Sequence, residues 1–217
     1  MSHAAEPAVE PDQAEALDAM LPFVPLHGWT SRALAEALKE SGGDVSDAEW
    51  RFPGGAPEMI EGFFALSLSR AVSRAAPEIA GEMRLGKRVR AVVGALLAEL
   101  SAHKEAVRRA MAWLLLPRHA MLSARLMASL VDGIWHAAGD QSSDFSWYTK
   151  RASLAGIMLP TLLFWLNDIE FDNETTLAFF DRRLDGLARI GRVRSRLQEA
   201  CTGFVGPRFG SRGKAAA

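Results

Sequence analysis

Asp132 and His136 stand four residues apart in VDGIWHAAGDQSSDFSWYTKRASLAGI (131–157), a spacing that puts a carboxylate and an imidazole on one helix face. Such a pair could be half of a metal site or an acid–base couple. No further histidine lies nearby, since His119 is distant, and no Glu-x-x-His occurs. The pair therefore reads as a structural hydrogen bond; no catalysis, metal or cofactor is assigned to it. Cys201 is the one cysteine, so no internal disulfide or cysteine zinc cage can form, and a reducing compartment fits.

The same stretch holds a second constellation. A polar loop with Asp140 and Asp144 runs into Phe145, Trp147, Tyr148, Lys150 and Arg151. Asp144, or Ser143 before it, is a good N-cap for a helix beginning at Phe145. Trp147 and Arg151 then share one face, and Tyr148 takes the neighbouring one. Two rings beside a cation have the composition of an interface hot spot, with Trp135 at its border. The competing reading is that Trp147 and Tyr148 close the end of the core with Arg151 stacked on Trp147. Phe145 points the other way, toward the core.

These residues must be positioned by helices. From Leu21 the chain has helical periodicity almost throughout, with no period-2 run or hairpin signal. Thr30 or Ser31 caps a helix that ends at Gly42-Gly43. A short helix near 46–51 stops at Pro53, and Pro57 opens a long one. Further helices are predicted over about 83–100, 104–116, 121–138, 144–166 and 173–190. Residues 1–20 are Ala-, Pro- and acid-rich and read as disordered. The expected fold is all-α: a helix-turn-helix module over 21–80, a helical domain over 81–190 and a basic tail over 191–217.

The module resembles that of tetracycline-repressor-like regulators, whose recognition helix ends in an aromatic-Phe-Pro motif like Trp50-Arg51-Phe52-Pro53. A DNA reader needs cations there. This segment offers Asp44, Asp47 and Glu49 against Arg51 alone, so the module reads as degenerate and no nucleic-acid partner is expected. The whole-chain formal charge of −1 adds no electrostatic pull toward nucleic acid. Apolar residues make up 49% of the chain, enough for a sizeable core. The acidic N-terminus fits neither a signal peptide nor a transit peptide, and abundant Arg and Ala point to a GC-rich bacterial genome. A cytoplasmic protein, peripheral on the inner face of a bacterial inner membrane, is expected.

Residues 114–168 carry the most specific signal: LLLP upstream, GDQSSDFSWYTKR at the centre, and FFDRRLDGLARIG (179–191) downstream. On these motifs the chain resembles the accessory lipid-binding proteins of ubiquinone biosynthesis, number nine of the coenzyme Q series. The resemblance implies a tetracycline-repressor-like fold without DNA-binding duty and a non-enzymatic role. It implies binding of an isoprenoid lipid or ubiquinone precursor, peripheral membrane contact, and assistance to the di-iron hydroxylase of the pathway. It also implies that the patch Asp144, Trp147, Tyr148, Arg151 and Trp135 grips that hydroxylase, reversing the balance toward an interface. The runner-up is a ligand-sensing tetracycline-repressor-like transcriptional regulator.

By composition, Trp113, Leu122, Leu126, Met127, Leu130, Ile134, Met158 and Leu162 are ordinary core. The resemblance makes them candidates for a lipid cavity, beside a helix interrupted by Pro160. Leu177, Phe180, Leu184, Leu187 and Ile190 form one stripe, and the resemblance to the regulators assigns a homodimer interface to helices 144–166 and 173–190. In the tail, Ile190, Val193, Leu197, Cys201 and Phe204 draw a second stripe, with Arg189, Arg192, Arg194 and Arg196 largely opposite. Arg192, Val193, Arg196, Leu197 and Phe204 are thus expected to meet an anionic membrane surface.

Overall fold

Pro11 starts the first helix, where its missing N–H costs nothing, and α1 runs Pro11–Met20. The computed structural model describes residues 9–81, 84–140, 145–169 and 172–186; at Glu49 and 145–147 it describes the backbone alone. The expected disorder of residues 1–20 is corrected over 11–20. Ala16, Leu17 and Met20 are buried there, and Asp18 pairs with Arg70. The acids lie on the outer face, so the composition of the segment hides one apolar stripe.

After α1 come α2 (Val24–His27), α3 (Ser31–Ser41), α4 (Asp47–Arg51) and the long α5 (Ala56–Ile79). Gly42 closes α3 in the left-handed region at φ 75°, as a C-terminal glycine does. The larger bundle adds α6 (Leu85–Ser101), α7 (Lys104–Leu114), a 3-10 turn over Pro117–His119, α8 (Ala120–Ala137) and α9 (Phe145–Asn167). A last described helix, α10, spans 174–186. No strand occurs among the described residues, and the predicted helices are in place there to within a few residues, the end of the one expected over 173–190 lying outside them.

One apolar core runs through both parts. The Trp29 indole is buried between them; it donates to the Ala106 carbonyl at 3.0 Å and lies 5.1 Å from the Phe63 ring. α5 is the spine, packed on α1, α6 and α8, with α9 against α8 and α7. α10 lies on α6: Phe180 is fully buried, Leu177 faces Gly94, and Asp181 accepts from Arg90 at 2.9 Å. Of the stripe, Leu177 and Phe180 are buried in the chain's own core, and Leu184 packs against it partly buried. Leu187, Ile190 and the whole tail, with Arg192, Val193, Arg196, Leu197 and Phe204, lie outside the described residues.

Candidate functional site

The carboxyl end of α8 is built by its sequence. In Ala138-Gly139-Asp140 the glycine takes φ 78°, the Gly139 amide donates to the His136 carbonyl, and the Asp140 amide donates to the Trp135 carbonyl. This is a Schellman closure, and it folds Asp140 back beneath the start of α9. The Asp140 side chain is 4% exposed, 2.7 Å from Lys150 Nζ and 3.9 Å from Arg151 Nη1. Arg151 Nε donates to Asp132 at 2.5 Å. Lys150 also stands 5.8 Å above the Trp135 ring, within cation–π range.

This geometry corrects three expectations. Arg151 is only 16% exposed and clasps α9 to α8, so it is not a surface group of the patch. Asp132 is taken by Arg151, and no described hydrogen bond joins it to His136. Trp135 is buried under Lys150 rather than bordering solvent. Tyr148 is 68% exposed. Asp144 and the Trp147 side chain lie outside the described residues.

Farther along, α5, α7, α8 and α9 line a half-open cavity of about 230 Å³. Phe64, Met111 and Leu114 line it from α5 and α7; Leu126, Met127 and Leu130 from α8; Ala155, Leu159 and Leu162 from α9. Its one hydroxyl, on Ser123, donates to the Leu114 carbonyl at 2.6 Å and is thereby satisfied. No titratable side chain lines the wall, so the site can enclose an apolar molecule but supplies no proton donor or nucleophile. α9 continues as helix through Pro160, and the Gly156 carbonyl that loses its partner belongs to an exposed residue.

Four of the eight residues expected at a cavity line this one: Leu126, Met127, Leu130 and Leu162. Ile134 and Met158 are corrected to solid core, where both are fully buried. Trp113 stacks on His119 at 3.4 Å instead of facing the void, and Leu122 packs partly buried outside it. Phe64, Met111, Ala155 and Leu159 are wall residues outside the expected eight.

At the other end of the molecule, α4 carries one cation and the acid Asp47. Arg51, its one cation, donates to the Asp12 carbonyl at 3.3 Å and is turned back onto α1. The Asp44 carboxyl is held below its ordinary value by the Ser46 amide and hydroxyl, and Trp50 is 83% exposed.

Three comparisons bear on these sites. A rat protein named ubiquinone biosynthesis protein COQ9, mitochondrial, is 35% identical over 201 residues, covering 89% of this chain and 64% of its own length. A COQ9-B protein of Xenopus laevis is 35% identical over 199 residues, covering 88% of this chain and 67% of its own. The chain belongs to the COQ9 family. The COQ9 family model matches residues 120–191, which take in α8, the Asp140 turn and α9. A human COQ9 protein is 34% identical, and this chain spans 63% of its length. These COQ9 relatives are mitochondrial proteins, which overturns the expectation of a cytoplasmic protein on a bacterial inner membrane. A crystal structure of a TetR transcriptional regulator from Nitrosomonas europaea matches with a TM-score of 0.63 at 19% identity, over 82% of this chain and 99% of that one. The COQ9 fold seen here is thus all-helical and TetR-like.

Proposed function

We propose that this protein is a non-enzymatic, lipid-binding accessory protein of ubiquinone biosynthesis. The observation that carries the reading is the cavity walled by α5, α7, α8 and α9, apolar but for the Ser123 hydroxyl, whose α8 and α9 walls lie in the COQ9-matching segment. Met111 and Met127 give that wall adaptable side chains, suited to a flexible isoprenoid. Phe64, Leu126 and Leu130 also line a wider groove of about 950 Å³, where Leu68 and Val72 alternate with charged residues such as Glu58, Glu61 and Arg125.

The partner in this reading is the di-iron hydroxylase of the pathway, gripped by Tyr148 and Trp147 above the α8–α9 clasp. An anionic membrane surface meets the basic tail, and a second copy pairs along α9 and α10. Support for the pairing comes from the stacked Phe164 and Phe179 rings, 4.6 Å apart and each only partly buried. Light scattering at micromolar concentration tests it directly: a mass of two chains is expected, and a strictly monomeric mass rules it out.

Co-purification with the hydroxylase tests the partner surface. Tyr148→Lys and Trp147→Lys are expected to keep the wild-type helical content and lose the hydroxylase, because each puts a charge on an apolar anchor. Wild-type recovery of the hydroxylase by both variants would refute the assignment.

A further inference from the structure

Between α7 and α8 the chain turns its apolar side chains outward. Leu115 is 53% exposed, Leu116 38% and Met121 84%. Large apolar groups clustered on one turn mark a contact surface more than scattered ones do. Leu115 also lines the cavity, so patch and cavity share a wall. The turn is braced: His119 stacks on Trp113 at 3.4 Å, and Ser123 Oγ donates to the Leu114 and His119 carbonyls. Leu116 and Met121 are thus held in water by a fixed frame.

Charge selects the occupant. No Asp or Glu occurs from Ala106 through Val131, while Arg118 is exposed at the centre of the turn. Its described hydrogen bond runs to neutral-capable His119 and not to a carboxylate. Apolar tips around an exposed cation with no carboxylate partner among the described residues fit the headgroup–acyl boundary of an anionic bilayer. A bilayer is also where an isoprenoid would be before it entered the adjoining cavity.

We propose that the α7–α8 turn is a membrane-docking edge through which the cavity is filled from an anionic bilayer. This rests on the lipid-cavity reading above. It is distinct from the basic tail, which lies beyond α10 in the chain.

The test uses the full chain, with farnesol as probe, delivered either dispersed in buffer or held in phosphatidylcholine–phosphatidylglycerol vesicles. In Leu116→Glu combined with Met121→Glu, neither altered residue lines the cavity. Uptake from buffer is expected at the wild-type level, and the rate of transfer from vesicles is expected to fall more than about ten-fold. Arg118→Ser is expected to erase the preference for phosphatidylglycerol over pure phosphatidylcholine vesicles. Wild-type transfer by the double variant overturns the docking edge. So does loss of both arms, which would make the turn part of the cavity. A wild-type protein that takes up no farnesol from buffer overturns the cavity reading itself.

Discussion

Asp140 is the residue on which the α8–α9 junction depends. Its carboxylate is buried, and two cations reach it from α9. Asp140→Asn keeps the shape and removes the charge, so it is expected to lower stability by about 1–3 kcal/mol in chemical denaturation. An unchanged unfolding midpoint would contradict the clasp. Asp140 is conspicuous in the sequence beside Lys150 and Arg151, but its burial is not. That follows from the Gly139 turn, which only the folded chain displays. His103 gives a second prediction at this scale. Burial pushes its imidazole below the ordinary value of 6.5; Arg70 pushes the same way, and Asp18 and Glu99 oppose. The unfolded chain then takes up the proton first on acidification. The stability due to neutral His103 is full above about pH 6.5 and is lost as pH falls toward the folded value. His103→Gln is expected to show a smaller drop in melting temperature between neutral and mildly acidic pH than the wild type. An equal drop in both would contradict this.

At the scale of elements, helix positions were legible because capping residues and breakers are local. Gly42 and Pro57 set their ends without reference to the rest of the fold. α1 was hidden because its burial concerns a few side chains in a segment whose average composition is polar. Leu17, fully buried beneath acids, makes the point. Leu17→Ala is expected to cost about 2–5 kcal/mol, as for other buried leucines, and a change within error would mean α1 is dispensable. The cavity was half legible for a related reason. Periodicity identifies the apolar face of α8, so Leu126, Met127 and Leu130 were in view. Whether the opposite helix fills the space is a matter of tertiary packing. Ile134 meets side chains there, while Leu130, one turn earlier, also borders a void.

At the scale of the whole molecule, a TetR-like fold carries a module whose α4 cation is turned back onto α1 and a bundle with an apolar hollow. The acidic surface around α4 was legible outright, since Asp44 and Asp47 are visible as residues. The direction of Arg51 was not. Family membership was legible in GDQSSDFSWYTKR, and the mitochondrial relatives then corrected the location inferred from composition. The central claim is that the hollow between α5, α7, α8 and α9 holds an isoprenoid lipid. Native mass spectrometry of the full chain, purified from its own host, tests it most directly, with Ala155→Phe as the paired variant because that ring would project into the cavity. The wild type is expected to carry an added mass that lipid extraction identifies as isoprenoid, and the variant to lose at least about nine-tenths of it, roughly 1.4 kcal/mol of affinity. A wild-type spectrum showing only the bare chain, or equal occupancy in the filled variant, would contradict the account.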